Sequence, residues 1–304
     1  MVGVFRRSLS FPNKNLNRSS QNKPHISHHI RSISLPCRSH PLISQIKDEI
    51  TDLTLWVSTS KSTPQTFTNI SHALTLLKDT HETLQHILHL PQTLESLRSH
   101  PLLVENLLED FLRFVDAYGM FQTSILSLKE QHSSAQIAIR KRNESKVVAY
   151  AKAKKKMANE MQRLVCGLRR VTQRQQPKVL ISTFVTDAEV RHVIADVMSV
   201  TMSVSVALFN GIAMSFSSRR LSLAQMVKLS RKSAKNELEG IEELREQESL
   251  RNLKKKGDEE IRTVLKRMRD LEECICGIES VCDKVFRALI NSRVALLNTL
   301  TLTH

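Results

Sequence analysis

The sequence predicts an all-α protein: an elongated bundle of long antiparallel helices with coiled-coil character and a disordered N-terminal tail. Three observations carry this. Aromatic residues make up 4% of the chain and glycines number only 7, too few for the turns and strand residues of a sandwich or barrel. Every long segment repeats its apolar residues at three- and four-residue steps, and none alternates over a strand's length. Prolines fall between these segments or at their starts, where a helix tolerates them. With 304 residues the chain can bury a substantial core.

Residues 1–38 form the tail. They are rich in Ser, Asn, Arg and His, and no acidic residue occurs before Asp48. Such a composition buries too little apolar surface to order itself. The same Arg-rich, Ser-rich, acid-poor character also fits an organellar transit peptide, which would place the protein in the plastid instead of the cytoplasm. Residues 39–304 form the helical domain.

The first helix follows Pro41, with Leu42, Ile46, Ile50, Leu53 and Val57 along one face. Thr63-Pro64 interrupts it. Ile70, Leu74, Leu77, Leu84 and Leu88 mark the second helix, which Pro91 stops. RSHPL at 98–102 repeats RSHPL at 38–42 and reads as a helix entry, a polar residue followed by proline in the first turn. The third helix carries Val104, Leu107, Phe111, Val115, Tyr118, Ile125 and Leu128. The fourth runs to about Gln176, with Val147, Tyr150, Met157, Met161, Leu164, Leu168 and Val171 at coiled-coil spacing. Thr186 and Glu189 form a capping box ahead of Val190, Val193 and Val197. Leu221 to about Lys256 reads as a long exposed helix or arm. Gly257-Asp258 breaks the chain and caps the last helix, which runs through Ile261, Leu265, Met268, Ile275, Cys282, Val285 and Leu296.

No stretch declares a reaction. There is no glycine-rich phosphate loop and no nucleophile elbow, so neither a catalytic residue nor a cofactor is assigned. Cys37, Cys166, Cys274, Cys276 and Cys282 are odd in number and irregular in spacing, as expected of free thiols in a reducing compartment. Cys274 and Cys276 point to opposite sides of a helix, and no tetrahedral zinc set is present, so no metal is expected. His81, His86 and His89 read as ordinary histidines on a solvated helix.

Two features point to partners. The net charge is +15, and Arg140 to Lys178 holds thirteen Lys or Arg against Glu144 and Glu160. In its densest part, Lys152, Lys154, Lys155 and Lys156 form either an ordinary solvated face or, as the best functional reading, a contact for an anionic membrane surface. Nucleic acid is disfavoured, because few aromatics are available to stack on bases. Val197 to Ser218 is uncharged and long enough to span a bilayer, yet Ser, Thr and Asn210 dilute it. A central core helix is the preferred reading, and a single membrane span the alternative. The second feature is a repeat. Arg7, Ser10 and Pro12 in RSLSFP match Arg31, Ser34 and Pro36 in RSISLP, 24 residues on. A phosphoserine three residues after an arginine and two before a proline is a docking pattern for 14-3-3 proteins. Two copies on one flexible tail would engage both grooves of a dimeric receptor.

RSISLPCRSHPLISQIKDEI at Arg31–Ile50, leading into the helix with Trp56, and LEECICGIESVCDKVFRALINSRVALLNTLT at Leu271–Thr301 together resemble the plant-specific BYPASS-type family. The resemblance covers Arg31 to the C-terminus. It implies a part in root and shoot development and no known reaction, cofactor or site residue. Cys274-Ile-Cys276 departs from the family's pattern. The function expected is therefore non-enzymatic: a regulatory or scaffolding interaction protein with a phosphorylatable tail. The alternative is a membrane-associated protein using the basic helix and residues 197–218.

Overall fold

A computed structural model describes residues 40–60, 65–172, 185–217, 240–244 and 256–301. These fall within one compact unit and contain seven α-helices and no strand. They are α1 (Pro41–Thr59), α2 (Phe67–Leu88), α3 (Pro91–Arg98), α4 (Pro101–Arg140), α5 (Glu144–Thr172), α6 (Val185–Phe216) and α7 (Asp258–Thr301). The all-α fold is the one expected.

The helix starts follow from their residues. Pro41 opens α1, and His40 caps it by accepting from the Leu42 amide at 3.2 Å. Pro101 opens α4 directly after His100, so the repeated His-Pro-Leu serves helix entry both times. Thr66 caps α2 through the Asn69 amide at 3.3 Å. Pro91 ends α2 and also opens the eight-residue α3, a helix the periodicity did not announce. At the α4–α5 corner Arg142 takes a positive φ of 54°, and the Asn143 side chain then accepts from the Ser145 amide. Gly257 donates to Glu260 at 3.1 Å, which closes the first turn of α7 as the Gly-Asp break predicts. Helix α6 begins at Val185, one residue ahead of Thr186. The Thr186 side chain of the expected capping box lies outside the described residues, and Glu189 pairs with Lys47 of α1 at 2.6 Å.

A series of cross-links fixes the register of α4 against α7, and it runs antiparallel. Gln122 meets Asp283, Lys129 meets Glu279, Gln136 meets Glu272 and Arg142 meets Asp258. Helix α2 also lies antiparallel to α7, with Gln85 donating to the Ala288 carbonyl and His81 facing Ser292. Helix α6 packs on α1, α2 and α5. Its Val197, Val204, Leu208, Phe209 and Ile212 are buried in the same core as Phe111, Tyr118 and Phe121 of α4. It is the one helix among the described residues long and apolar enough to cross a membrane, and 61% of its apolar window is buried inside the bundle.

One expectation fails clearly. Residues 221–256 are not a single exposed helix. At 240–244 the chain forms a strap, an irregular Gly240-Ile241 followed by a 3₁₀ turn at Glu242–Leu244, with Ile241 and Leu244 buried. Gly240 lies so close to α6 that a Cβ there would meet the Ser215 amide nitrogen at 2.6 Å. The charged, weakly striped sequence hid a two-anchor insertion that has no helical period.

Candidate functional site

Helix α5 has two faces. Val147, Tyr150, Met157, Met161, Leu164 and Leu168 are buried, as their spacing predicts. Lys152, Lys155, Lys156, Asn159 and Arg163 are exposed on the opposite side. With Glu160 they line an open depression of about 390 Å³. Glu160 is drawn towards α4, where Ser124 donates to it at 2.7 Å, and Lys156 reaches its other oxygen at 3.8 Å. The surface left is a cationic strip three helical turns long.

Lys154 is a correction. It was expected beside Lys152, Lys155 and Lys156, and it does not share their face. It sits one turn after Tyr150 and three residues before Met157, within the apolar stripe. Its Nζ lies 4.8 Å from the centre of the Tyr150 ring. Burial lowers its pKa to about 8. The helical period already contained this signal.

Beside Lys154, the Tyr150 hydroxyl lies 2.9 Å from His132 Nδ1. His132 Nε2 faces the Met268 carbonyl at 2.9 Å, so Nε2 carries the hydrogen and Nδ1 accepts from tyrosine. Burial holds the His132 pKa below its ordinary value and raises that of Tyr150. The group ties α4, α5 and α7 together with neutral partners.

A second buried group corrects the reading of His81. It is not solvated but fully enclosed. Thr201 spends its hydroxyl hydrogen on the Val197 carbonyl, so its oxygen accepts from His81 Nε2 at 3.0 Å. Ser292 Oγ lies 3.4 Å from Nδ1 and 3.0 Å from the Ala288 carbonyl. Desolvation lowers the His81 pKa to about 3. The serine–histidine contact superficially suggests a nucleophile and its base. His81, Thr201 and Ser292 all have no exposure, and the arrangement works as a fastener between α2, α6 and α7. His86 and His89 are exposed, as expected.

The described cysteines are free thiols. Cys274 and Cys282 are buried, and burial pushes the Cys274 pKa up to about 12. No group of metal-ligating side chains occurs among the described residues. The tail positions Arg7, Ser10, Pro12, Arg31, Ser34 and Pro36 lie outside the described residues.

The BPS1 family profile, described as "Protein BPS1", matches residues 73–299, from α2 to the end of α7. No curated protein and no solved structure matches the chain. The profile spans well over half the sequence and takes in the basic face of α5 and both buried histidine groups. It is not a family of known enzymes. The chain belongs to the BPS1 family, and that membership marks it as a plant developmental protein of undefined biochemical activity.

Proposed function

We propose that the chain acts in root and shoot development as a regulatory interaction protein without chemistry of its own, docking at an anionic surface through α5. The observation that supports this is the cationic strip of Lys152, Lys155, Lys156 and Arg163 on the exposed side of a helix whose other side is buried. Near anionic lipid each basic residue contributes up to about 1 kcal/mol, so three lysines are worth about 3 kcal/mol, or roughly a hundredfold in binding. The burial of α6 favours peripheral attachment from the cytoplasm over a membrane span.

Vesicle co-sedimentation tests the docking face. Phosphatidylcholine vesicles should pellet the chain only when phosphatidylserine is included, and added salt should release it. The triple variant Lys152→Gln, Lys155→Gln, Lys156→Gln should stay in the supernatant. Equal pelleting of variant and parent would reject the strip as the contact.

The tail supplies the regulatory half of the proposal. Phosphorylated Ser10 and Ser34 would present two anionic groups to a dimeric 14-3-3 protein. Fluorescence polarisation with a peptide of residues 1–40 should show the doubly phosphorylated form binding far more tightly than either single form. No effect of phosphorylation would remove this half and leave the basic face standing.

A further inference from the structure

The strap at 240–244 is held in the way a groove holds a peptide. Its main chain makes the contacts: Glu242 N donates to the Gln65 carbonyl at 2.8 Å, and Ile241 N to the Gly211 carbonyl at 3.4 Å. The Ser215 hydroxyl lies 3.1 Å from the Ile241 carbonyl. Two side chains serve as anchors. Ile241 sits over Gly211, where an added Cβ would lie 3.2 Å from its Cγ1, and beside Ile70. Leu244 lies among Ile212, Phe216, Ile275 and Ile278. The strap's own side chains add a polar contact at Glu243, which accepts from the Phe67 amide at 2.8 Å in the first turn of α2. An acid is favoured there by the positive end of the helix dipole. Gly240 completes the fit, since the groove wall at Ser215 leaves no room for a side chain.

We propose that the cleft between α2, α6 and α7 is a peptide-docking groove that this chain fills with its own strap, and that it fits a partner segment of the pattern Gly-aliphatic-any-acid-Leu. Two apolar anchors and a few main-chain bonds exceed the entropy of fixing five residues by a small margin, so the strap is held but displaceable. Its covalent link to the chain raises its local concentration above that of a separate segment. A partner carrying the same pattern competes by mass action. This groove is separate from the basic face of α5 and does not depend on it.

The test is fluorescence polarisation of a labelled peptide of residues 238–247 against the full chain and its Gly240→Ala variant. That substitution crowds Ser215 and loosens the internal strap while leaving both anchors and the core unchanged. The peptide should bind the variant roughly tenfold or more tightly than the parent chain. A peptide with alanine in place of its glycine, or lysine in place of its second glutamate, should bind neither. Glu243→Lys in the full chain removes the α2 contact from an exposed position and should likewise raise peptide affinity, which provides a second route should Gly240→Ala fold poorly. Equal peptide binding by parent and variants overturns the proposal, as does no binding to a variant with the parent's circular dichroism. A variant dimer that the peptide does not dissolve would assign the groove to a second copy of the chain and overturn the partner reading.

Discussion

Helices α5 and α6 are neighbours in sequence and pack on each other, yet they solve opposite problems. Helix α5 divides most of its residues between an apolar stripe that faces inward and a basic face of Lys152, Lys155, Lys156 and Arg163 that faces out, with Lys154 the exception. Helix α6 carries apolar residues nearly all round and is enclosed, with Thr201 and Ser205 turning their hydroxyls to backbone carbonyls one turn back. Length and hydropathy alone would send α6 into a membrane and leave α5 in water. The packing shows why those two numbers are insufficient. The hydroxyls of α6 meet polar partners from other helices, His81 and Tyr118, at 3.0 and 3.2 Å. A lipid chain offers no such partner. Each helix is therefore matched to its neighbours more than to a solvent.

That contrast can be broken most forcefully in α6. Val204→Asp places a carboxylate in the sealed core, where a buried ion costs several kcal/mol, a large share of the 5–15 kcal/mol typical of a domain. The variant should lose its cooperative thermal transition in circular dichroism.

A smaller effect comes from acid. Burial holds His81 neutral with a pKa of about 3 against an ordinary 6.5. Between these values the unfolded chain binds the proton and the folded chain does not. Stability from this group is therefore complete above about pH 6.5 and falls as the pH drops towards 3. Urea midpoints measured from pH 7 to pH 4 should decline, and His81→Gln should flatten that slope whatever its stability at neutral pH.

The seam under α5 is next in size. Tyr150→Phe removes the donor to His132 Nδ1 and leaves a buried acceptor without its partner, a cost of about 1–3 kcal/mol. The urea midpoint should fall while the midpoint slope stays unchanged. Smallest of all is Val148→Lys on the exposed side of α5. Val148 is 53% exposed, and the change should move stability by no more than about 0.5 kcal/mol. A drop comparable to that of Tyr150→Phe would mean that the outer face of α5 is covered in the folded protein.

Much of the scaffold could be read from residue spacing. Each apolar stripe became a buried face, and both His-Pro-Leu repeats became helix starts. What escaped was whatever depends on a neighbour distant in sequence. His81 looked solvated because its partners, Thr201 and Ser292, come from helices more than a hundred residues away. The strap escaped because two anchors three residues apart leave no period to detect. Lys154 is the instructive exception. Its position in the stripe of Tyr150 and Met157 was visible, but a run of lysines reads as a charged patch until each one is assigned to a face. The short α3 was masked by its own proline, which reads equally well as a stop and as a start.

The place of α7 in the fold has a consequence for biosynthesis. This helix supplies the antiparallel partner for both α2 and α4, through pairs such as Gln85 with Ala288 and Gln122 with Asp283. A ribosome makes it after the other six helices of the described residues. Until its residues emerge, α2 and α4 have only the earlier helices, chiefly α1, α5 and α6, to pack on, and the part of their leucine and phenylalanine stripes that α7 covers stays exposed until late in synthesis. Chaperone demand should therefore peak late in translation. A chain stopped just before Asp258 should be recovered in the insoluble fraction, even though it keeps every residue of α1 to α6.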